Sequence, residues 1–249
     1  MSDRNGAAEP SGPALSVVIP CFDEEPRLGV TLPEALRFLD AYASSFEVVV
    51  VDDGSRDRTA EVAASTGDDR VRLIRLPANR GKGAAVRAGV IAARGDRILV
   101  MDADLSTPLE ELGRLEEAME EGADLVIGSR ALDRARIRVR QPWFRDRLGR
   151  AFNLVIRALG VRGIRDTQCG FKLFSRRAAQ RVFPQLVVDR WTFDVELLLV
   201  ASMCGFRIVE LPVEWANAPG TRVHVVRDAL GTLYDLLRIR CRWLFRRPS

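Results

Sequence analysis

The stretch "RILVMDADLSTP", residues 97–108, decides how this chain folds. Ile98 to Met101 form an apolar run suited to a buried strand. The run stops at two carboxylates, Asp102 and Asp104, one alanine apart. Side chains at i and i+2 of an extended segment share a face, so the two acids point the same way and each disfavours the other's ionised form. A hard cation would offset that repulsion, because Mg2+ or Mn2+ takes oxygen ligands and joins carboxylates to substrate phosphates. The plain alternative is a turn with two solvated acids. "STP" then opens a helix, with a hydroxyl cap and a proline in the first turn.

Working outward, "LSVVIP" (15–20), "FEVVVVDD" (46–53), "VRLIRLP" (71–77) and "ADLVIGS" (123–129) read as further short buried strands. Helical patterns separate them: Leu32, Leu36 and Leu39 at helical spacing, "RTAEVAAS", "GKGAAVRAGVIAAR" (81–94) and "PLEELGRLEEAMEEG". Strands apolar on both faces and alternating with helices predict an α/β fold with a mainly parallel sheet covered on both sides. Ligands of such sheets sit at the carboxyl ends of the strands. There the sequence places Asp23 and Glu24, Asp52 and Asp53, Asp102 and Asp104, and Ser129 and Arg130. Further on, 144–161 and 191–205 read as helices and 206–215 as a late strand. The segment 228–248 reads as a basic amphipathic helix in which Leu237, Trp243, Leu244 and Phe245 alternate with arginines.

At 249 residues and 47% apolar, the chain supports one sizeable core. The expected organisation is a loose tail over 1–14, one domain over 15–227 and the basic helix over 228–249. The formal charge is only +4, but residues 130–165 hold eleven arginines against two acids. Such a block suits phosphates or an anionic membrane surface, or else a solvated face. The four scattered cysteines fit reduced thiols of a cytoplasmic protein. A single histidine argues against a histidine-based metal site or a Ser-His-Asp triad. No apolar run reaches the roughly 20 residues of a membrane span, and the N-terminus lacks the apolar core of a signal peptide. Aromatic content of 7% and the absence of a recognition motif argue against nucleic acid as a partner.

"NRGKGAAVRAG" (79–89) lacks the spacing of a phosphate loop, yet Lys82 and nearby amides suit an anion. An acid at the second strand end, Asp52, suits a base or ribose, while Ser55 and Asp57 in the same stretch suit a helix cap. Together, "SVVIPCFDEEPRL", "VVVVDDGSRDRT", "NRGKGAAVRAG", "MDADLSTP", "GSR", "RGIRDTQCGFKLF" and "RWTFDVELL" resemble the family 2 glycosyltransferases, nearest the polyprenyl-phosphate glucosyl branch and then the mannosyl branch. The resemblance runs from about residue 15 to about residue 243. It implies a GT-A fold, a single Rossmann-like domain, and inverting transfer from a nucleotide sugar. Position by position it implies that Pro20, Phe22, Glu24, Asp52 and, more weakly, Asp53 contact the nucleoside. Asp102 and Asp104 hold the metal, Ala103 meets the sugar-nucleotide backbone, Arg130 meets phosphate, and Arg222 closes over the diphosphate. Phe22 stands where tyrosine is common, Asp23 where asparagine is common and Arg222 where lysine is common.

The chemistry needs the leaving diphosphate neutralised. An acceptor phosphate is already ionised near neutral pH and needs no base, so Asp194 and Glu196 orient sugar hydroxyls or pair with arginines. The arginine window suits the acceptor phosphate. Trp143, Phe144, Leu148 and Phe152, with the C-terminal helix, suit a membrane surface, or a helix packed on the sheet with its arginines snorkelling. The expected donor is UDP-glucose, the acceptor a polyprenyl phosphate, and the place the cytoplasmic face of a membrane. GDP-mannose with the same acceptor is the alternative, and a non-catalytic nucleotide-sugar binder a more distant one. The sequence sets no oligomeric state.

Overall fold

The structure, a computed structural model, describes residues 12–133, 136–139, 163–216 and 225–244. Its elements are β1 (Leu15–Cys21), α1 (Glu25–Tyr42), β2 (Phe46–Asp52), α2 (Thr59–Ala64), β3 (Val71–Arg75), α3 (Lys82–Ala92), β4 (Arg97–Val100), α4 (Leu112–Glu120) and β5 (Leu125–Ser129). There follow β6 (Ile137–Val139), β7 (Lys172–Ser175), α5 (Arg176–Val182), α6 (Phe193–Met203), β8 (Ile208–Pro212), β9 (Trp215–Ala216) and α7 (Val225–Leu244).

Seven strands form one sheet in the order β3-β2-β1-β4-β7-β5-β8. All its pairings are parallel except those of β7, which runs antiparallel between β4 and β5. The sheet is therefore mainly parallel, as the apolar runs predict. Alternation along the strands splits the core in two. Val18, Val49, Val51 and Val100 pack under α3, α5, α6 and α7, while Val17, Ile19, Val48, Val50 and Leu99 pack under α1 and α4.

Three expectations need correction. The late strand over 206–215 breaks at Val213, and Trp215–Ala216 pairs instead with β6. Pro108 precedes a 3-10 turn, Leu109–Glu111, with no side-chain cap, so "STP" supplies no hydroxyl cap and α4 begins only at Leu112. The C-terminal helix starts at Val225 and is docked on the domain: Leu236, Ile239 and Trp243 lie in the core. The Trp243 indole N–H donates to Glu196 Oε1 at 3.0 Å, and Thr192 Oγ1 donates to Asp235 at 3.1 Å. Trp243 thus belongs to the protein interior rather than to a membrane face. Leu237 remains exposed, as does Tyr234.

Candidate active site

At the ends of β1 and β2, two loops are knitted together. Asp23 N donates to Ser55 Oγ at 2.8 Å, Arg56 N to Asp23 Oδ1 at 2.7 Å, and Glu24 N to Thr59 Oγ1 at 2.8 Å. Asp23 holds φ at +50°, a left-handed conformation that suits an aspartate. Pro20 lies in register beside Val51, and Cys21 beside Asp52. Phe22 follows directly, and the Glu24 carboxylate pairs with Arg27 at 3.0 Å. Asp52 is fully buried. Its Oδ1 accepts from Ser55 N at 2.9 Å, whereas Oδ2 makes no hydrogen bond, with Arg75 Nε 3.3 Å away. Arg75 meets its charge, and the hydrogen-bonding capacity left on Oδ2 suits a base or ribose. Asp53 behaves differently. Its two oxygens accept from Arg80 N at 2.9 Å and Gly81 N at 2.7 Å, fixing the turn before α3. That role stands beside the weaker nucleoside role expected of it. Burial raises the Asp53 carboxyl above its ordinary range, against those two N–H bonds.

Asp102 leaves the end of β4, and Lys82 Nζ, from the first residue of α3, lies 2.5 Å from its Oδ1. Burial alone would raise the Asp102 carboxyl. The Lys82 charge and hydrogen bond, with the charges of Lys172 and Arg130, hold it below the ordinary range. Ala103 O accepts from Thr31 Oγ1 at 2.7 Å, which pins the loop to α1, and Asp104 Oδ1 accepts from Ser106 N at 3.0 Å.

The opposite wall comes from residues 164–196. Arg130 forms a fork with Asp166, Nε to Oδ2 at 2.7 Å and Nη2 to Oδ1 at 2.8 Å, and its guanidinium sits 5.4 Å from the Trp215 ring centre. Lys172 Nζ donates to Asp194 Oδ1 at 2.7 Å and to Cys169 O at 2.5 Å, with both side chains of the ion pair buried. Burial pushes the Asp194 carboxyl up, while the Lys172 and Lys82 charges pull the other way. Gly170 lies against the metal-binding candidate: a Cβ there would stand 2.0 Å from Asp102 Oδ2. A narrow cavity between these walls is lined by Lys82, Gly170, Lys172, Phe193 and Asp194.

The fold thus brings Asp52, Lys82, Asp102, Ala103, Asp104, Arg130 and Asp194 to one edge of the sheet. Asp194 pairs with Lys172 rather than with an arginine, and Arg130 is already held by Asp166. Glu196 is a structural acceptor, taking N–H bonds from Val187 at 2.8 Å and Val188 at 2.9 Å besides the indole. Arg222, the aromatic residues at 143–152 and most of the arginine window lie outside the described residues. Sequence reasoning gave no role to Lys172, Asp166 or Gly170. The available signal was a lysine inside the apolar run "CGFKLF".

Asp102 and Asp104 fit a hard divalent ion. Asp102 is held ionised, as a ligand must be, and an ammonium already sits on one of its oxygens. The described residues contain no cluster of three or more candidate ligand side chains. A cation held here would therefore draw its other ligands from substrate phosphates and water, the usual arrangement for Mg2+.

An α/β sheet with a charged edge of this kind is the scaffold of nucleotide-sugar transferases, and the chain belongs to glycosyl transferase family 2, whose sequence signature matches residues 16–183. Within that family it is similar to dolichyl-phosphate beta-glucosyltransferases. The Homo sapiens protein is 43% identical over 246 residues, covering 92% of this chain and 76% of that protein. The Dictyostelium discoideum protein is 37% identical, covering 92% and 75%, and the Saccharomyces cerevisiae protein 35%, also covering 92% and 75%. Among solved structures it resembles glucosyl-3-phosphoglycerate synthase from Mycobacterium tuberculosis. The complex of that enzyme with Mn2+, UDP-glucose and phosphoglyceric acid gives a TM-score of 0.64 at 19% identity, covering 92% of this chain and 80% of that one. The likeness establishes the GT-A fold.

Proposed function

We propose that this protein transfers glucose from UDP-glucose to a dolichyl-type polyprenyl phosphate, with inversion, giving polyprenyl-phosphate β-glucose and UDP. The observation that carries the reading is the 43% identity to a dolichyl-phosphate beta-glucosyltransferase over 92% of the chain. The site supports it, because Lys82 lies 2.5 Å from the Asp102 carboxylate at the strand ends and the charges of Lys172 and Arg130 add to its hold.

In this reading Pro20, Phe22, Glu24 and Asp52 hold the nucleoside, with Asp52 Oδ2, ion-paired to Arg75 but not hydrogen-bonded, as acceptor. Asp102 and Asp104 hold Mg2+ or Mn2+, which when bound supplies charge neutralisation at the leaving diphosphate. Lys82, Ala103 and Arg222 complete the diphosphate site. Arg130, held rigid by Asp166, presents positive charge to phosphate. An oxygen of the acceptor phosphate forms the new bond to the anomeric carbon as the bond to the diphosphate breaks. No base is required, so Asp194, tied to Lys172, positions groups rather than taking a proton.

The protein works at the cytoplasmic face of a membrane as a peripheral enzyme. Among the described residues no helix is long and apolar enough to cross a bilayer. Tyr234 and Leu237, 66% and 57% exposed on α7, support contact with a lipid surface.

The test offers purified protein a polyprenyl phosphate in detergent with Mg2+ or Mn2+, and UDP-glucose or GDP-mannose separately, and reads the lipid product by mass. Hexosyl-lipid from UDP-glucose, lost in Asp104→Ala, is expected. Product from GDP-mannose alone, or no lipid product from either donor, overturns the reading.

A further inference from the structure

Lys82, Lys172 and Arg130 all lend positive charge to Asp102, but they are not equivalent. Arg130 has its own carboxylate in Asp166, and Lys172 has Asp194. The carboxylate paired with Lys82 is Asp102 itself, at 2.5 Å. We propose that Lys82 is a resident counter-cation that occupies Asp102 until the diphosphate of the donor arrives, so that divalent metal and nucleotide bind this chain as a coupled pair. This rests on the reading of Asp102 and Asp104 as the metal-holding acids.

The carboxylate is the fixed partner of the two. Its Oδ2 fills the space that Gly170 leaves open, and its loop is pinned through Ala103 O to Thr31. The lysine is the movable partner. Its ammonium ends a four-carbon stem that starts at the first residue of α3, and the face of Trp191 lies 5.2 Å away. Trp191 is 49% exposed and already lies under the ammonium, so the lysine stands at the mouth of the site where an entering anion meets it.

Charge sets the direction of coupling. A divalent ion entering alone must compete with an ammonium for the same oxygen, and like charges this close repel. A diphosphate entering with the ion supplies new acceptors for Lys82 and frees Oδ1 of Asp102. Coupling between two ligands is reciprocal, so the nucleotide also binds more tightly when the metal is present.

The experiment titrates Mn2+ into the full chain and reads free Mn2+ from its electron paramagnetic resonance signal, with and without UDP. Wild type is expected to bind Mn2+ about tenfold more tightly when UDP is present. Lys82→Gln without UDP is expected to bind Mn2+ about tenfold more tightly than wild type without UDP, and to gain little more when UDP is added. Lys82→Arg keeps the charge and should follow wild type, which separates loss of the cation from disturbance of α3. Equal Mn2+ affinity in wild type and Lys82→Gln without UDP overturns the proposal while leaving the metal site standing. Absence of Mn2+ binding to wild type even with UDP, or unchanged binding in Asp104→Ala, overturns the metal site and the proposal with it.

Discussion

On one wall of the site, residues 15–104, backbone N–H groups fix the acids at the strand ends: Asp53 takes Arg80 N and Gly81 N, Asp52 takes Ser55 N, and Asp104 takes Ser106 N, while exposed or half-exposed arginines, Arg27 at Glu24 and Arg75 at Asp52, add charge. On the other wall the acids are held by cations: Asp166 takes both arms of Arg130, and Asp194 takes Lys172. Backbone N–H groups bonded to carboxylates fix loop geometry at about 1.5–3 kcal/mol net per bond. Buried ion pairs contribute little net stability, because desolvation cancels much of the attraction, yet losing one partner is costly. The first wall is therefore a rigid cradle, and the second is a source of field. Asp102 stands where they meet.

The largest effect should come from breaking a pair on the charged wall. Lys172→Met leaves Asp194 buried without its cation and should cost about 3–5 kcal/mol in urea unfolding. Adding Asp194→Leu in the same chain should restore most of that loss. A cost below about 1 kcal/mol for the single variant would erase the distinction between the walls.

Next comes the seam. Gly170→Ala places a Cβ 2.0 Å from Asp102 Oδ2, and the carboxylate must shift. Loss of about 100-fold in kcat/KM for glucosyl transfer is expected from a displacement near 1 Å. Retention of half the wild-type value would mean that the two walls move independently.

The smallest effect is one of sign. Asp166 is held below the ordinary carboxylate range: burial works against it, but the Arg130 charge and hydrogen bonds prevail. Its stabilisation is present above the unfolded-state value and is lost as pH falls through the folded-state value. Asp53 is raised by burial, so its contribution is present below the unfolded-state value and is lost as pH rises through the folded-state value. Urea unfolding of Asp166→Asn and Asp53→Asn across the acid range should show the gap to wild type shrinking towards low pH for Asp166 and widening for Asp53. Gaps of the same sign would remove the contrast.

The cradle was largely legible in the sequence, and the field was not. β1, β2 and β4 announce themselves as β-branched runs that end in acids, and the parallel sheet follows from their alternation with helices. Strand order then gathers Asp52, Asp102 and Asp104 at one edge. β7 escaped because it has four residues with a lysine at its head, and its pairing with β4 is antiparallel and long-range. The partners on that wall obey no local spacing: Arg130 and Asp166 are 36 residues apart, and Lys172 and Asp194 are 22. The turn-fixing role of Asp53 escaped for the same reason, since its donors lie 27 and 28 residues on. Trp243 was left open between membrane and protein for another. An amphipathic pattern rewards burial of its apolar face against protein or lipid alike, and periodicity does not say which.

The bond between Glu196 and Trp243 also has a history within each molecule. The acid is made 47 residues before its indole donor. At roughly 5–20 residues per second of synthesis, that is an interval of about two to ten seconds. Through that interval the nascent chain carries α6 with one flank uncovered, since Leu236, Ile239 and Trp243 have yet to arrive. The flank of α6 is closed only after synthesis has passed it by the whole of α7, so this part of the core is completed last.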